Sequence, residues 1–533
     1  LKDKCSAGQV LLPNLGGWFF LYLLAGFLFL RPLLLLWDGA VCRHFLNGLY
    51  ALRHHAIATS SYTIFTHPEV ASESRCWLGD IIMGLSYQSF HLNGVVLVTS
   101  VCICLSLIWS YQIARARGLG CMVGLLGLVL VTAASSVHWS ARCHVFSYLP
   151  LLIVYYFCFV SKAKAVYRTL GCMLSMALAV NLHGAFTISL FVLLSRLLGD
   201  LISLFTGRAY EAAADNAVEQ PVSLRANAVA SLKWSATTFL LSVAATLLNP
   251  RGLGLYLHIA QYLGNPVVGR LTDEWRPLDM SIGLGAWAFV ALLFACSAIF
   301  ISARRFPNPG DLILFFILFA GGCRSMRLIP YFALIAMPAC APAWQAFKTM
   351  ASERHSRFWN SFIAFEARAE SGEVLPKHCS LIVTGLAALM SLVFLLSPGL
   401  ALTDFDPERM PVKTVEAVSK LNLPAAGFDY DNWGGYLYYK LNRPVFVDDW
   451  LDFLPVSFLK EYLTVLTASS GWQAILDNYK IVWALIPKQC PLAAAMLQTH
   501  CWQVVSEDTV SVLLVKRPAA LPAQPANRAD KTN

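Results

Sequence analysis

Long apolar runs recur along this chain, separated by short polar segments, and that alternation limits the fold more than any other feature. A run that crosses the hydrocarbon of a bilayer needs about 20 apolar residues in a helix, because a backbone surrounded by lipid must satisfy its own N–H and C=O groups. Eleven stretches read as spans: 15–37, 93–113, 119–136, 145–161, 168–182, 184–206, 230–248, 283–302, 311–322, 328–346 and 379–400. The boundary around Asn181-Leu182-His183-Gly184 is the least sharply marked. The first run is long enough to stay in the membrane and lacks the small-residue pattern of a cleaved leader. Charged residues make up 13% of the 533, against 57% hydrophobic. A soluble protein carries about 25% charge, so lipid must solvate much of this surface.

The net charge of +9 would suit nucleic acid, but the basic residues are scattered over short loops rather than gathered in a patch. They read as topology signals. With Lys2 and Lys4 in the cytoplasm, Arg115, Arg117, Lys162, Lys164, Arg168, Arg208, Arg225, Arg304, Arg305, Lys348, Arg354, Arg357, Arg368 and Lys377 all fall on the same side. The other face receives 38–92, 137–144, the turn at 183, 249–282, 323–327 and everything after 401. This orientation predicts a multi-pass protein of the inner (plasma) membrane with a cytoplasmic N-terminus and an extracytoplasmic C-terminal domain. The expected organisation is a membrane domain over 1–402 with a long first outer loop at 38–92, a soluble domain over 403–517, and a disordered tail from 518 to 533 rich in Ala and Pro.

In the soluble part, 411–420, 455–466 and 471–478 read as helices, and 425–429, 443–448, 480–487, 501–506 and 510–516 as strands. The mixture predicts a small α/β domain. Most of the 15 cysteines lie in apolar runs, where the thiol acts as a small hydrophobe. Cys42 and Cys76 share the first outer loop and Cys490 and Cys501 the C-terminal domain, so either pair is a disulfide candidate on an oxidising face. No Cys-x-x-Cys pair or Cys/His spacing points to zinc.

The chemistry-bearing residues collect on the outer face. Asp38 and Asp80 stand at the two membrane-proximal ends of the first loop, where a carboxylate can serve as general base, metal ligand or helix cap. The second loop reads His138-Trp139-Ser140-Ala141-Arg142-Cys143-His144, and His183 sits at a span end. An arginine there can hold a phosphate or snorkel to headgroups, and a histidine can carry a proton or be a satisfied buried group. Arg142, Arg251, Arg270, Arg276, Arg324 and Arg327 all fall outside despite the bias against outer basic residues. A ligand bearing phosphate or pyrophosphate at the outer leaflet would account for them, as would ordinary lipid headgroups.

Motifs follow in a fixed order: His138-Trp139 with Arg142 and His144, then Asn181 to Gly184. Leu248-Asn249-Pro250 with Gly252 comes next, followed by Glu274-Trp275 with Pro277 and by Arg324 with Arg327 and Pro330. Trp433-Gly434-Gly435-Tyr436-Leu437 and Val445-Phe446-Val447-Asp448 complete the series. Over about 36–516 this resembles a bacterial family of polytopic membrane proteins in the GT-C glycosyltransferase superfamily, as a divergent member. The acid that such proteins usually carry before the Trp-Leu of the first loop's end is Cys76 here. The Pro of Arg-Pro-His is Cys143, and the first loop opens Asp38-Gly39-Ala40 in place of a more acidic start.

The resemblance implies a mainly α-helical GT-C-like membrane domain with a C-terminal α/β domain. It also implies transfer of a sugar from a polyprenyl-phosphate donor to a glycan, lipid or protein acceptor on the outer face, with inversion. Asp38, Asp80 and His183 become the catalytic candidates. His138, Arg142, His144, Arg251, Glu274, Arg324, Arg327, Trp433 and Asp448 become the substrate-binding candidates. No cofactor is certain; a divalent metal, Mg2+ or Mn2+, is left open, and so is a metal-free site. Two alternatives stand beside this reading: a non-catalytic membrane or assembly protein that keeps the GT-C-like fold, and a transporter.

Overall fold

The computed structural model describes residues 14–30, 34–35, 38–70, 74–206, 221–265, 267–302, 308–353, 357–372, 380–397 and 404–517. The tail from 518, together with Lys2, Lys4, Arg208, Arg304, Arg305, Arg354 and Lys377, lies outside these residues, as does the side chain of Arg270. The chain divides into two compact units, one within Leu1–Thr59 and Ala71–Asp404, the other within Ser60–Val70 and Phe405–Asn533.

The first unit is helical: α1 (Leu15–Phe29), α2 (Ala40–His54), α3 (Trp77–Ala116), α4 (Cys121–Ser135), α5 (Tyr148–Phe159), α6 (Ala165–Leu182), α7 (Phe186–Thr206), α8 (Pro221–Ala245), α9 (Gly254–Gly264), α10 (Leu284–Ser302), α11 (Pro309–Arg324), α12 (Ile329–Glu353), α13 (Arg357–Gly372) and α14 (Leu381–Leu396). Among the described residues seven helices are long and apolar enough to cross a membrane, and three shorter ones are apolar too. Each of the eleven expected spans coincides with a helix, including the α6/α7 pair, which breaks at His183 where the backbone turns extended (φ −168°, ψ 151°).

The first outer loop is not a loop. Most of it forms a hairpin of α2 and the leading part of α3, which is set off from the membrane span by non-helical Phe90 and His91. The hairpin closes because Gly48 meets Gly84 and the Asp80 carbonyl so tightly that a Cβ on Gly48 would overlap backbone. Phe45 also stacks flat on Tyr87, with ring centroids 4.2 Å apart. Likewise 249–282 is not plain connection, since it contains α9.

At the centre lies α12, buried from Ile329 to Ala341 and carrying Pro338 and Pro342 inside the helix. A proline has no N–H for the carbonyl four residues earlier. Pro342 thus frees the Pro338 carbonyl, and Pro338 frees that of Leu334. Arg117 donates to the first at 2.9 Å and Ser110 to the second at 2.6 Å, so both orphaned acceptors are answered by side chains of the α3 end. Arg117 is itself paired with buried Asp311 at 2.7 Å.

The second unit has α15 (Val412–Lys420), β1 (Gly427–Asp429), α16 (Asp431–Leu441), α17 (Val456–Leu466), α18 (Trp472–Asn478), β2 (Trp483–Pro487), α19 (Pro491–Gln498), β3 (Trp502–Glu507) and β4 (Ser511–Lys516). The sheet runs β1-β2-β4-β3, with β1 parallel to β2 and the remaining pairs antiparallel. Phe428 faces Ala484 and Leu485 faces Leu513, so the core is read directly from the apolar strands. One expectation fails here. The segment 443–448 is no strand: it makes a parallel bridge, Val445 to Ile64, which binds the 60–70 stretch into this unit. Trp433-Gly434-Gly435 lies in α16, where Gly434 packs directly against the Val447 carbonyl and Asp448.

Candidate functional site

Four separated segments of the first unit bring charged side chains together. Arg142 lies at the centre. Its Nη1 is 3.1 Å from the Asp38 carboxylate and 2.5 Å from Glu274. Glu274 reaches a second guanidinium, Arg327, at 2.7 Å. Asp38 stands just before α2, where it also accepts from Ser140 Oγ at 2.9 Å and from the Ala40 N–H at 3.0 Å. Three donors therefore fix both of its oxygens. Glu274 is carried by a short turn that Ser325 clamps by donating to the Glu274 carbonyl at 2.9 Å. Burial alone would raise the Glu274 carboxyl, but Arg142 and Arg327 outweigh it and hold the group well below its ordinary range.

Three histidines border this network. His138 stacks on His144 with centroids 4.4 Å apart, and its Nε2 is 4.0 Å from Glu274. His144 is fixed through Nε2 on the His138 carbonyl at 3.1 Å. His183 meets His144 edge-on at 6.2 Å. Its Nδ1 accepts the Ala185 N–H at 3.1 Å, which places the ring proton on Nε2. Burial, and then the charges of Arg327 and Arg75, hold the His183 imidazole well below its ordinary value and so neutral.

Further groups surround the network that the sequence did not single out. Arg75 lies over the Tyr262 ring at 5.2 Å and meets His258 at 3.3 Å; Tyr262 accepts from Trp275 Nε1 at 2.8 Å. Arg327 lies over Trp275 at 5.3 Å. The signal for Arg75 was present: it is one more arginine in a segment expected on the outer face, immediately before Cys76-Trp77. Asn181 explains why Asn-Leu-His-Gly is a motif. Its carbonyl oxygen accepts Trp77 Nε1 at 2.6 Å and its amide donates to the Leu248 carbonyl at 2.8 Å, fixing the α3 start and the α8 end beside His183.

Other expected residues lie elsewhere. Asp80 is buried against His44 at 2.6 Å, Ser74 at 2.5 Å and the Cys143 thiol at 3.3 Å, with none of these contacts to Asp38. Arg324 is exposed and reaches only the Trp275 carbonyl, at 3.4 Å. Arg251 sits in the turn after α8, its N–H held by Asn249 at 2.9 Å. Trp433 and Asp448 belong to the second unit, and both are buried there. Trp433 packs on Tyr430, and Asp448 accepts from Thr63 Oγ1 at 2.5 Å and from the Trp450 N–H at 3.1 Å, the work of a core carboxylate.

Asp38 and Glu274 share one arginine nitrogen, Arg142 Nη1. Among the described residues one group of three metal-ligating side chains is close enough to share an ion: His44, Asp80 and Cys143. Its nitrogen and sulfur donors do not suit Mg2+ or Mn2+, which take oxygen. Cys42 and Cys76 are buried thiols, and Cys490 and Cys501 are thiols as well, so neither candidate disulfide is formed.

No family model matches the chain, and no curated protein sequence does. Among solved structures, the archaeal oligosaccharyltransferase AglB from Archaeoglobus fulgidus, in complex with an inhibitory peptide and a dolichol-phosphate, is similar at a TM-score of 0.51. The identity is 11%, over 89% of this chain and 69% of that one. ArnT from Cupriavidus metallidurans bound to undecaprenyl phosphate gives a TM-score of 0.47 at 14% identity, over 95% and 98% of the two chains. Its apo state gives 0.44 at 13%, over 94% and 97%. At such identities the likeness to AglB is one of fold.

Proposed function

We propose that this multi-pass membrane protein, whose fold is the GT-C fold it shares with AglB, transfers a sugar from a polyprenyl-phosphate donor to an acceptor on the outer face of the membrane. The observation that carries the reading is the largely buried Asp38–Arg142–Glu274–Arg327 network, with the three latter side chains about a fifth exposed, assembled from segments 104 and 132 residues apart. A protein that used the fold only as scaffold would have little reason to hold two arginines and two acids beside three histidines and a cation–π pair.

The chemistry follows from charge. An acceptor hydroxyl attacks the anomeric carbon, the bond from that carbon to the phosphate oxygen breaks, and the hydroxyl proton leaves to a base. In this reading Asp38, whose two oxygens are both held by donors, orients that hydroxyl and receives its proton. The departing polyprenyl phosphate gains negative charge, which Arg142 and Arg327 stabilise, with Arg75 adding to the local positive field. His183, neutral and donating from Nε2, suits a hydrogen bond to a phosphate or sugar oxygen. Glu274 keeps the two guanidiniums oriented and apart.

The test is transfer from a polyprenyl-phosphate sugar by the purified chain in detergent. Asp38→Asn is expected to lower the rate by at least a hundredfold while thermal unfolding stays that of a folded protein, and Arg142→Gln is expected to weaken binding of a short polyprenyl phosphate but not of the corresponding alcohol. An Asp38→Asn protein with undiminished transfer would remove the assignment. Equal affinity of the chain for phosphate and alcohol would point to the alternative, a membrane protein that keeps the fold without the reaction.

A further inference from the structure

The sequence departs from the family pattern at Cys76 and Cys143, and the fold brings these two positions together. Cys76 stands at the N-terminal end of α3, where its N–H donates to Ser74 Oγ at 3.2 Å and its carbonyl accepts the Asp80 N–H at 2.8 Å, and Cys143, in the second outer loop, sets its sulfur so close to Gly79 that a Cβ there would fall 2.9 Å from it. Both are unoxidised and buried. Beside them His44, from α2, places Nδ1 at 3.2 Å from the Cys143 sulfur and 2.6 Å from Asp80 Oδ1, and that same oxygen is 3.3 Å from the sulfur. The three donor atoms lie within 4.8 Å of one another. We propose that His44, Asp80, Cys143 and Cys76 form a zinc site that joins α2, the start of α3 and the second outer loop.

The donor set decides the ion. Two thiols, an imidazole and one carboxylate suit zinc and exclude Mg2+ and Mn2+. The geometry is close to what zinc needs. Bonds of about 2.0–2.3 Å at tetrahedral angles separate the donors by roughly 3.3–3.7 Å, so the Cys143 sulfur needs only a small outward shift from 3.2 and 3.3 Å, the His44–Asp80 hydrogen bond must open, and the Cys76 sulfur, which stands outside the set of three, must turn in to complete the four. Asp80 is oriented for one-oxygen ligation. Ser74 donates to its Oδ2 at 2.5 Å and Asn47 reaches the same oxygen at 3.4 Å, leaving Oδ1 toward His44 and the sulfur. Such outer hydrogen bonds commonly fix a metal-binding carboxylate. Asp80 is 1% exposed, yet no lysine or arginine is among these partners. Its one basic partner in these contacts is the His44 imidazole at 2.6 Å, and a bound dication would neutralise the carboxylate as well. Zinc would supply that charge, with both thiol protons released to solvent on binding. Ligand separations of 36, 63 and 99 residues hide the site from any spacing motif. The proposal stands whether or not the chain is a transferase.

The test uses the full chain in detergent, stripped with chelator and reloaded with Zn2+ or Co2+. One equivalent of zinc is expected to be retained, and Co2+ is expected to give a thiolate-to-cobalt charge-transfer band. Cys76→Ser with Cys143→Ser should abolish both, His44→Ala should weaken zinc binding at least tenfold, and Cys490→Ser should change neither. Should the double variant fail to fold, wild type still decides: zinc must protect Cys76 and Cys143 from alkylation relative to stripped protein. Absence of metal and of the band in wild type would overturn the proposal. So would a band that survives the double substitution, or a Cys76–Cys143 disulfide found by mass spectrometry in native protein.

Discussion

Glu274 offers the sharpest test of the charged network. Its two oxygens contact two guanidiniums, at 2.5 Å to Arg142 and 2.7 Å to Arg327, with about a fifth of its side chain exposed. Unit charges about 4 Å apart at an effective dielectric of about 20 attract by roughly 4 kcal/mol per pair. Glu274→Gln removes both attractions and turns an amide N–H₂ toward one guanidinium. The cost is reduced because the carboxylate no longer has to be desolvated, and because Arg142 keeps Asp38 at 3.1 Å. A net loss of about 2–4 kcal/mol follows. Its pH dependence has a fixed sign. The folded carboxyl is held well below its ordinary 4.5, so the stabilisation is fully present above 4.5 and disappears as pH falls through the lower folded value. Thermal unfolding of wild type and Glu274→Gln in one detergent should therefore show a constant gap above that pH and a narrowing gap below it. No gap at neutral pH, or a gap that widens on acidification, would refute the reasoning.

Three other outcomes are expected. Ser110→Ala removes the donor to the Leu334 carbonyl and should cost about 1–3 kcal/mol of stability, whereas Ser110→Thr, which keeps the hydroxyl, should cost less; unfolding temperatures decide. Gly48→Ala drives a methyl into the Asp80 carbonyl and Gly84 and should lower the folded yield in detergent, with a loss above about 3 kcal/mol. In the second unit, burial pushes the Asp431 carboxyl from 3.8 up to about 7, so stability falls as pH rises between those values and stays at the lower level above them. Asp431→Asn, which can still accept from Tyr462, should gain on wild type across that range in a pH series of unfolding temperatures, with buried Asp429 keeping some slope.

The spans were legible because lipid imposes one rule on every segment: a run must be apolar and close its own backbone hydrogen bonds. A helix stands in each of the eleven runs, and α15, α17 and α18 likewise stand where their periodicity placed them. The ends of the first outer loop, the His-Trp and Glu-Trp motifs and the excess of outer arginine all drew notice for the same reason, since charge at a membrane surface is conspicuous. Partners were not legible. Asp38 and Asp80 looked equivalent at the two ends of one loop, and only the tertiary structure separates them, giving Asp38 to Arg142 and Asp80 to His44 and Cys143. Cys143 stands where the resemblance expects a proline, and only the fold sets its sulfur beside His44 and Asp80. Trp433 and Asp448, candidates for substrate binding by their motifs, are buried where Gly434 lets a helix lie against backbone that no composition rule could locate. Hydropathy is a property of each segment taken alone, whereas an ion pair or a ligand set depends on which segments meet, and that is decided by the packing of the whole chain.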